Sequence, residues 1–234
     1  MRTLIVFARE PAPHRTKTRL IRSVGADAAA ALAEAFTLDA LEKARRAKPA
    51  RLVLAGSAAG GARRSAYFRA IARRFGSELI DQGEGTLGAR IANSLAPYAH
   101  DGAALIGTDT PSLPLSLLQR SVELLRRYPV VLGPSLDGGY YLVGVRDGLP
   151  DMFRGIRWGG SRVLADTIAR LERRGVHYAL GPAWYDIDRA GDLALLAVHL
   201  EGILGARRGR SKDRNPCPAT AQLLERLGLL RGTR

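Results

Sequence analysis

Apolar residues along the chain fall into short continuous runs and into helical stripes, and the two alternate. Leu4 to Ala8 is an unbroken apolar run with β-branched residues, which predicts a first parallel strand buried on both faces. Arg51-Leu-Val-Leu-Ala55, closed by Gly56, predicts a second. Ala103 to Ile106, the paired β-rich runs from Val130 and from Tyr140 to Val145, and Val176 to Leu180 predict further strands. Between them, Leu32, Phe36, Ala40 and Leu41 share one face of a helix that Asp27 caps and that reaches about Ala47. Tyr67, Phe68 and Ile71 point inward from a helix over 62–75, and Leu87, Ile91 and Leu95 from one with Thr86 as N-cap. Leu117, Leu118, Val122 and Leu125 mark a helix from Pro114 to about Tyr128. Ser161 and Asp188 read as caps of two more, over 162–173 and from Arg189 to about Leu200. Strands alternating with helices predict an α/β fold with a mixed, mostly parallel sheet flanked by helices.

Carboxylates stand where these elements end. Asp109 stands just after the run from Ala103 that ends in Gly107, and Pro111 keeps Thr110 out of the helical region. Asp137 precedes Gly138 and Gly139, which permit backbone angles other residues adopt only at a cost. Ligands of open α/β sheets sit at the carboxyl ends of the strands, so Asp109 and Asp137 can face one site. In Trp184-Tyr-Asp-Ile-Asp188, Asp186 and Asp188 alternate around Ile187 and share a face if the chain is extended. Asp192 reads as a first-turn acid of the following helix. The loop from Arg9 to Leu20, held open by Pro11 and Pro13, supplies His14, Arg15, Lys17 and Arg19 with Thr16 and Thr18. Such a loop suits a diphosphate, and an ordinary solvated loop is the plain alternative. Gly83-Glu-Gly-Thr-Leu-Gly88 matches a dinucleotide pattern but lies far from the first strand–helix turn, which argues against a nicotinamide site.

Composition narrows the class. A chain of 234 residues with 46% hydrophobic content suits one globular domain. One cysteine, Cys217, excludes an internal disulfide and a Cys-rich zinc site and fits a reducing cytoplasm. The first apolar run stops at Arg9, too short for a signal-peptide core, and no later stretch reaches the roughly 18 apolar residues of a membrane span. The net charge of +14, mostly arginine, would attract polyanions, yet the arginine pairs are spread over helix ends. Arg207 to Arg214 is the one dense run, without interleaved aromatic residues or a nucleic-acid motif, which disfavours nucleic acid as a partner. That run links a domain over 1–205 to a segment over 206–234 with a short helix, which packs on the domain or on a second subunit of a homodimer. No His/Cys cluster, G-x-S-x-G or P-loop is present, so zinc-dependent, hydrolase and ATPase chemistry lack their parts.

Gly107-Thr-Asp-Thr-Pro-Ser-Leu113 and Gly133-Pro-Ser-Leu-Asp-Gly-Gly-Tyr-Tyr-Leu-Val-Gly144 resemble a bacterial glycosyltransferase-like family, DUF2064. It belongs to the nucleotide-diphospho-sugar transferase superfamily with the GT-A (Rossmann-like) fold, and some members are labelled arsenosugar-biosynthesis glycosyltransferases. The likeness runs over most of residues 2–200. Lys17-Thr-Arg-Leu20 resembles the family's nucleotide-phosphate loop, and Gln82 to Arg90 a motif that follows it. The family usually has Gly where His14 stands and an acid where Thr86 stands. The resemblance implies nucleotide binding by Arg15, Lys17, Arg19, Gln82 and Gly107, and sugar or acceptor binding by Asp137, Gly138, Gly139, Tyr140 and Trp158. It implies a Mg²⁺ or Mn²⁺ held by Asp109 and Asp188, with Asp137 catalytic. The partners are then a nucleotide sugar and a small-molecule acceptor. Two alternatives stay open: nucleotidyl transfer from a nucleoside triphosphate, since the Lys17 loop also resembles guanylyl- and cytidylyltransferases, and a non-catalytic nucleotide-binding protein.

Overall fold

β1 (Thr3–Arg9) lies inside a sheet ordered β3-β2-β1-β4-β6-β5-β7, the strands being β2 (Arg51–Ser57), β3 (Glu78–Asp81), β4 (Ala103–Ile106), β5 (Val130–Pro134), β6 (Tyr140–Val145) and β7 (Tyr178–Leu180). The structure is a computed structural model that describes residues 2–205 and 216–230. β1, β2, β3 and β4 pair in parallel, β6 runs antiparallel to β4 and β5, and β5 and β7 are parallel. The expected mixed, mostly parallel α/β sheet is therefore present.

The continuous apolar runs are explained by burial on both faces. On one face Leu4, Val6, Leu54, Ala104 and Ile106 pack on α2 (Ala26–Arg46), α3 (Ala66–Phe75) and α5 (Leu115–Glu123). On the other, Ile5, Val53, Leu105, Val143 and Val145 pack on α4 (Leu87–Leu95) and α6 (Val163–Arg173). A third cluster joins the outer side of α2, including Leu32 and Phe36, to α7 (Ala190–Gly205) and α8 (Pro218–Arg226). α1 (Ile21–Val24) is one turn leading into α2.

Several boundaries differ from expectation, each for a local reason. Asp27 lies inside the first turn of α2, whose N-cap is Gly25, at a positive φ of 84. α3 starts at Ala66 because the Ser65 hydroxyl accepts from Phe68 N. Pro114 occupies the N-cap of α5, and the helix tightens into a 3₁₀ turn at Leu124–Arg126 before Tyr128. Arg162, not Ser161, stands at the N-cap of α6. Thr86 does cap α4, its hydroxyl accepting from Ala89 N.

α8 packs on its own chain. The buried Asp39 carboxylate of α2 accepts from Ala219 N at 2.9 Å, Thr220 N at 2.8 Å and the Thr220 hydroxyl at 2.6 Å. This stands in for a side-chain cap at the α8 N-terminus. The arginine-rich run over 207–214 lies outside the described residues. Among those described, no helix is long and apolar enough to cross a membrane.

Candidate active site

The strand order turns back between β1 and β4, since β2 and β3 lie on one side of β1 and the rest on the other. Such a switch opens a crevice at the carboxyl ends of the strands. A cavity of about 530 Å³ fills it, lined by Phe7 to Arg9 after β1, Arg15 to Arg19 of the next loop, Gly107 to Asp109 after β4, the start of β6, the inner face of α4 and Asp188. Leu87, expected to point into the core, is 40% exposed and lines this cavity.

Thr16 gives the basic loop its shape. Its hydroxyl donates to Ala12 O at 3.0 Å and accepts from Ala12 N, so the loop closes on itself. His14 and Lys17 take left-handed backbone, at φ 60 and 47. That conformation is cheap for glycine and costs a residue with a side chain more. Lys17 Nζ then meets three oxygens: Asp109 Oδ1 at 2.7 Å, Asp188 Oδ1 at 2.9 Å and Ile187 O at 2.6 Å. Burial opposes its charge, but the two carboxylates outweigh that and hold the Lys17 pKa above its ordinary value. Arg19 reaches the second oxygen of Asp188 at 3.4 Å. Ile187 points away into the α2–α7 cluster, and its N–H donates to Asp109 O at 2.8 Å, so the two acidic segments are tied through backbone. Asp192 serves the start of α7, accepting from Asp188 N and Arg189 N at 3.0 and 2.8 Å.

Asp137 lies beyond the cavity wall. Its Oδ1 accepts from Gly139 N at 2.8 Å and from the Ser135 hydroxyl at 2.6 Å. Ser135 also bonds Asp186 Oδ2. One hydroxyl has one proton, so two ionised carboxylates cannot both accept from it. Burial, first of all, raises the Asp186 pKa to about 7, and repulsion from Asp137, Asp109 and Asp188 acts in the same direction against the Ser135 hydrogen bond. A protonated Asp186 resolves the arrangement: it donates to Ser135, which donates to Asp137. Sequence reasoning left Asp186 and Ser135 out of the site. Their signal was the pairing of Asp186 with Asp188 around a buried Ile187, without any sign of the contact to a residue 51 positions earlier.

The opposite wall is basic and aromatic. Gln82 donates both amide hydrogens to buried carbonyls, Ala8 O at 2.9 Å and Ala55 O at 2.8 Å, and its Oε1 accepts from Arg90 Nη2. Gln82 thus seats Arg90, whose guanidinium lies 5.6 Å from the Phe7 ring centroid. Arg9 and Arg90 were not anticipated as site residues and both line the cavity. Tyr140 lines the same cavity and packs edge-on against Trp158 with centroids 6.1 Å apart. Trp158 lines a second cavity of about 600 Å³ on the other side of α4, with Met152 and Phe153. Of the residues singled out from sequence, Arg15, Lys17, Arg19, Gln82, Gly107, Asp109, Tyr140 and Asp188 are brought to one cavity. Asp137, Gly138 and Gly139, on the β5–β6 loop, are not among the residues that line it.

The donors around Lys17 are all oxygen, the type a hard divalent cation takes. Among the described residues, no group of three or more His, Cys, Asp or Glu side chains converges on one point.

A family model described as "Uncharacterized protein conserved in bacteria (DUF2064)" matches residues 17–160. A candidate nucleotide-diphospho-sugar transferase from Desulfovibrio desulfuricans G20, known from its crystal structure, is 29% identical. The alignment covers 99% of this chain and 98% of that one, with a TM-score of 0.80. The fold also matches 4-diphosphocytidyl-2C-methyl-D-erythritol synthase from Anaerococcus prevotii DSM 20548 at 10% identity, 86% and 99% coverage and a TM-score of 0.56. It matches the inositol-1-phosphate CTP transferase from T. maritima at 16% identity, 82% and 91% coverage and a TM-score of 0.53. No curated protein matches the chain.

Proposed function

The chain belongs to the bacterial family DUF2064, and from that premise we propose that it is a transferase that moves a sugar from a nucleotide diphosphate sugar to a small-molecule acceptor. The observation that carries this reading is the meeting of the basic loop with Asp109 and Asp188 in one cavity at the switch point of the sheet. The Desulfovibrio relative, described as a candidate nucleotide-diphospho-sugar transferase, supports it.

Arg15 and Arg19 offer forked donors to a diphosphate, and backbone at Gly107 lets the ligand come close to the β4 end. Phe7, Leu87 and Ile91 supply an apolar floor for the base beside Arg90. Mg²⁺ or Mn²⁺ on Asp109 and Asp188 would neutralise the leaving diphosphate. Asp137 takes the acceptor hydroxyl's proton, with Ser135 and Asp186 fixing its orientation. Tyr140 presents the aromatic surface on which a sugar face packs, with Trp158 packed edge-on behind it.

Titration with UDP, GDP and CDP, each with and without Mn²⁺, tests the reading by calorimetry or thermal shift. One base should bind in preference to the others, and more tightly with Mn²⁺. Equal or absent responses across the panel would refute it. Adding the matching triphosphate decides the nucleotidyl-transfer alternative, which requires the triphosphate to bind at least as well as the diphosphate.

A further inference from the structure

We infer that Lys17 is the resident cation of the acidic site, and that a divalent ion entering it displaces the ammonium onto the phosphate of an incoming ligand. The inference rests on the proposed metal-assisted reading of this site and adds the order of events within it.

An ammonium group has three donors, and all three are spent: on Asp109 Oδ1, Asp188 Oδ1 and the Ile187 carbonyl. Nothing is left for a phosphate while Lys17 stays in place. The two carboxylate oxygens it binds are the ones a divalent ion needs. The lysine side chain is 8% exposed, whereas those of Asp109 and Asp188 are 48% and 36% exposed. The cation is therefore enclosed and the acids are open to the cavity. A divalent ion added beside an unmoved ammonium would face a positive charge at contact distance, so the two exchange rather than share.

The fold provides a place for the ammonium to go. Lys17 sits on the loop that also carries Arg15, Thr16, Thr18 and Arg19 along the cavity wall. Its four-carbon stem is flexible, unlike the planar fork of arginine. A turn of that stem moves the charge from the acids to a phosphate held by the same loop. Metal and phosphate ligand then favour each other's binding, because the phosphate receives the charge that the metal expels.

The test uses the full chain and Mn²⁺ alone, followed by the electron paramagnetic resonance of free Mn²⁺ or by calorimetry. Lys17→Met, with no nucleotide present, should bind Mn²⁺ at least tenfold more tightly than wild type. The open carboxylates can be solvated by water, so the variant should fold, and Lys17→Gln serves as a second uncharged variant if it does not. Unchanged or weaker Mn²⁺ binding by the variants overturns the inference. If wild type at the same time takes up Mn²⁺ with a nucleoside diphosphate, the metal reading stands and the exchange alone has failed. If no protein takes up Mn²⁺ in any state, both fall.

Discussion

A Cβ placed on Gly138 would stand 2.0 Å from the carbonyl oxygen of Ser161. Gly138 is also left-handed, at φ 90, and its own carbonyl accepts from Leu164 N at 2.9 Å. The loop bearing Asp137 is thus seated backbone to backbone on the start of α6. Gly138→Ala adds roughly 1–2 kcal/mol of left-handed strain and roughly 1–3 kcal/mol of overpacking. A loss of about 3 kcal/mol in urea unfolding is expected. Gly139 carries no left-handed φ, and its added Cβ would meet Asp137 Oδ1 at 3.2 Å. Gly139→Ala should cost less than about 1 kcal/mol and act on turnover by shifting Asp137. Equal losses in the two variants would refute the role given to Ser161.

Arg90 separates stability from binding. Burial, and then repulsion from Arg9, lower its pKa, so its charge is held at some cost. Arg90→Met should melt at or above wild type and bind the preferred nucleotide at least tenfold more weakly, about 1.4 kcal/mol. Gln82→Leu behaves differently, because it strips buried carbonyls of Ala8 and Ala55 of their donor. It should lose roughly 2–3 kcal/mol of stability as well as affinity. A thermal melt and a nucleotide titration on each variant distinguish the two.

These pairs also mark where sequence stops being informative. β1 and β4 were legible because both faces are buried and the apolar runs are unbroken, and α4 because Thr86 caps it within three residues of its partner Ala89. Asp109 was legible because a strand, a glycine and a proline fix its position locally. Ser161 looked like a cap, yet its carbonyl faces Gly138, a contact between loops 23 positions apart in the chain. Lys17 could be read as a basic loop residue but not as the partner of Asp188, 171 positions later. Local chemistry was readable, and pairings set by the sheet order were not.

Lys43 makes stability depend on pH. It is buried in α2, where it donates to Pro111 O at 2.8 Å and to Thr110 O at 3.4 Å, next to the Asp109 segment. Burial lowers its pKa to about 8, against the opposing pull of Cys217 and Asp39. Between about pH 8 and the ordinary 10.5 the unfolded chain holds a proton that the native state has released. Stability therefore rises with pH through that window, by about 2–3 kcal/mol from this group. Urea unfolding at several values from pH 7 to pH 10 should show wild type gaining on Lys43→Met. Parallel curves would sink the idea.

Asp137 is the group whose loss should stop turnover while leaving the ligands bound. Both of its protein hydrogen bonds, from Gly139 N at 2.8 Å and Ser135 Oγ at 2.6 Å, end on Oδ1. Oδ2 is left to meet an acceptor hydroxyl, with the carboxylate held still by its other oxygen. Asp137→Asn keeps the shape and the accepting Oδ1 but puts an N–H donor where the base was. Nucleotide and Mn²⁺ affinity should stay within about threefold of wild type, and turnover should fall by roughly a hundredfold or more. Slow hydrolysis of the donor serves as the readout, since water takes the acceptor's place. Asp186→Asn provides the contrast. Its amide can donate to Ser135 as the protonated acid does, so Ser135 still points its proton at Asp137 and turnover should change by only about threefold. Asp186→Ala removes that donor and should slow hydrolysis more than Asp186→Asn. If Asp137→Asn instead loses Mn²⁺ binding, Asp137 is a metal ligand and the assignment of the base to it is wrong.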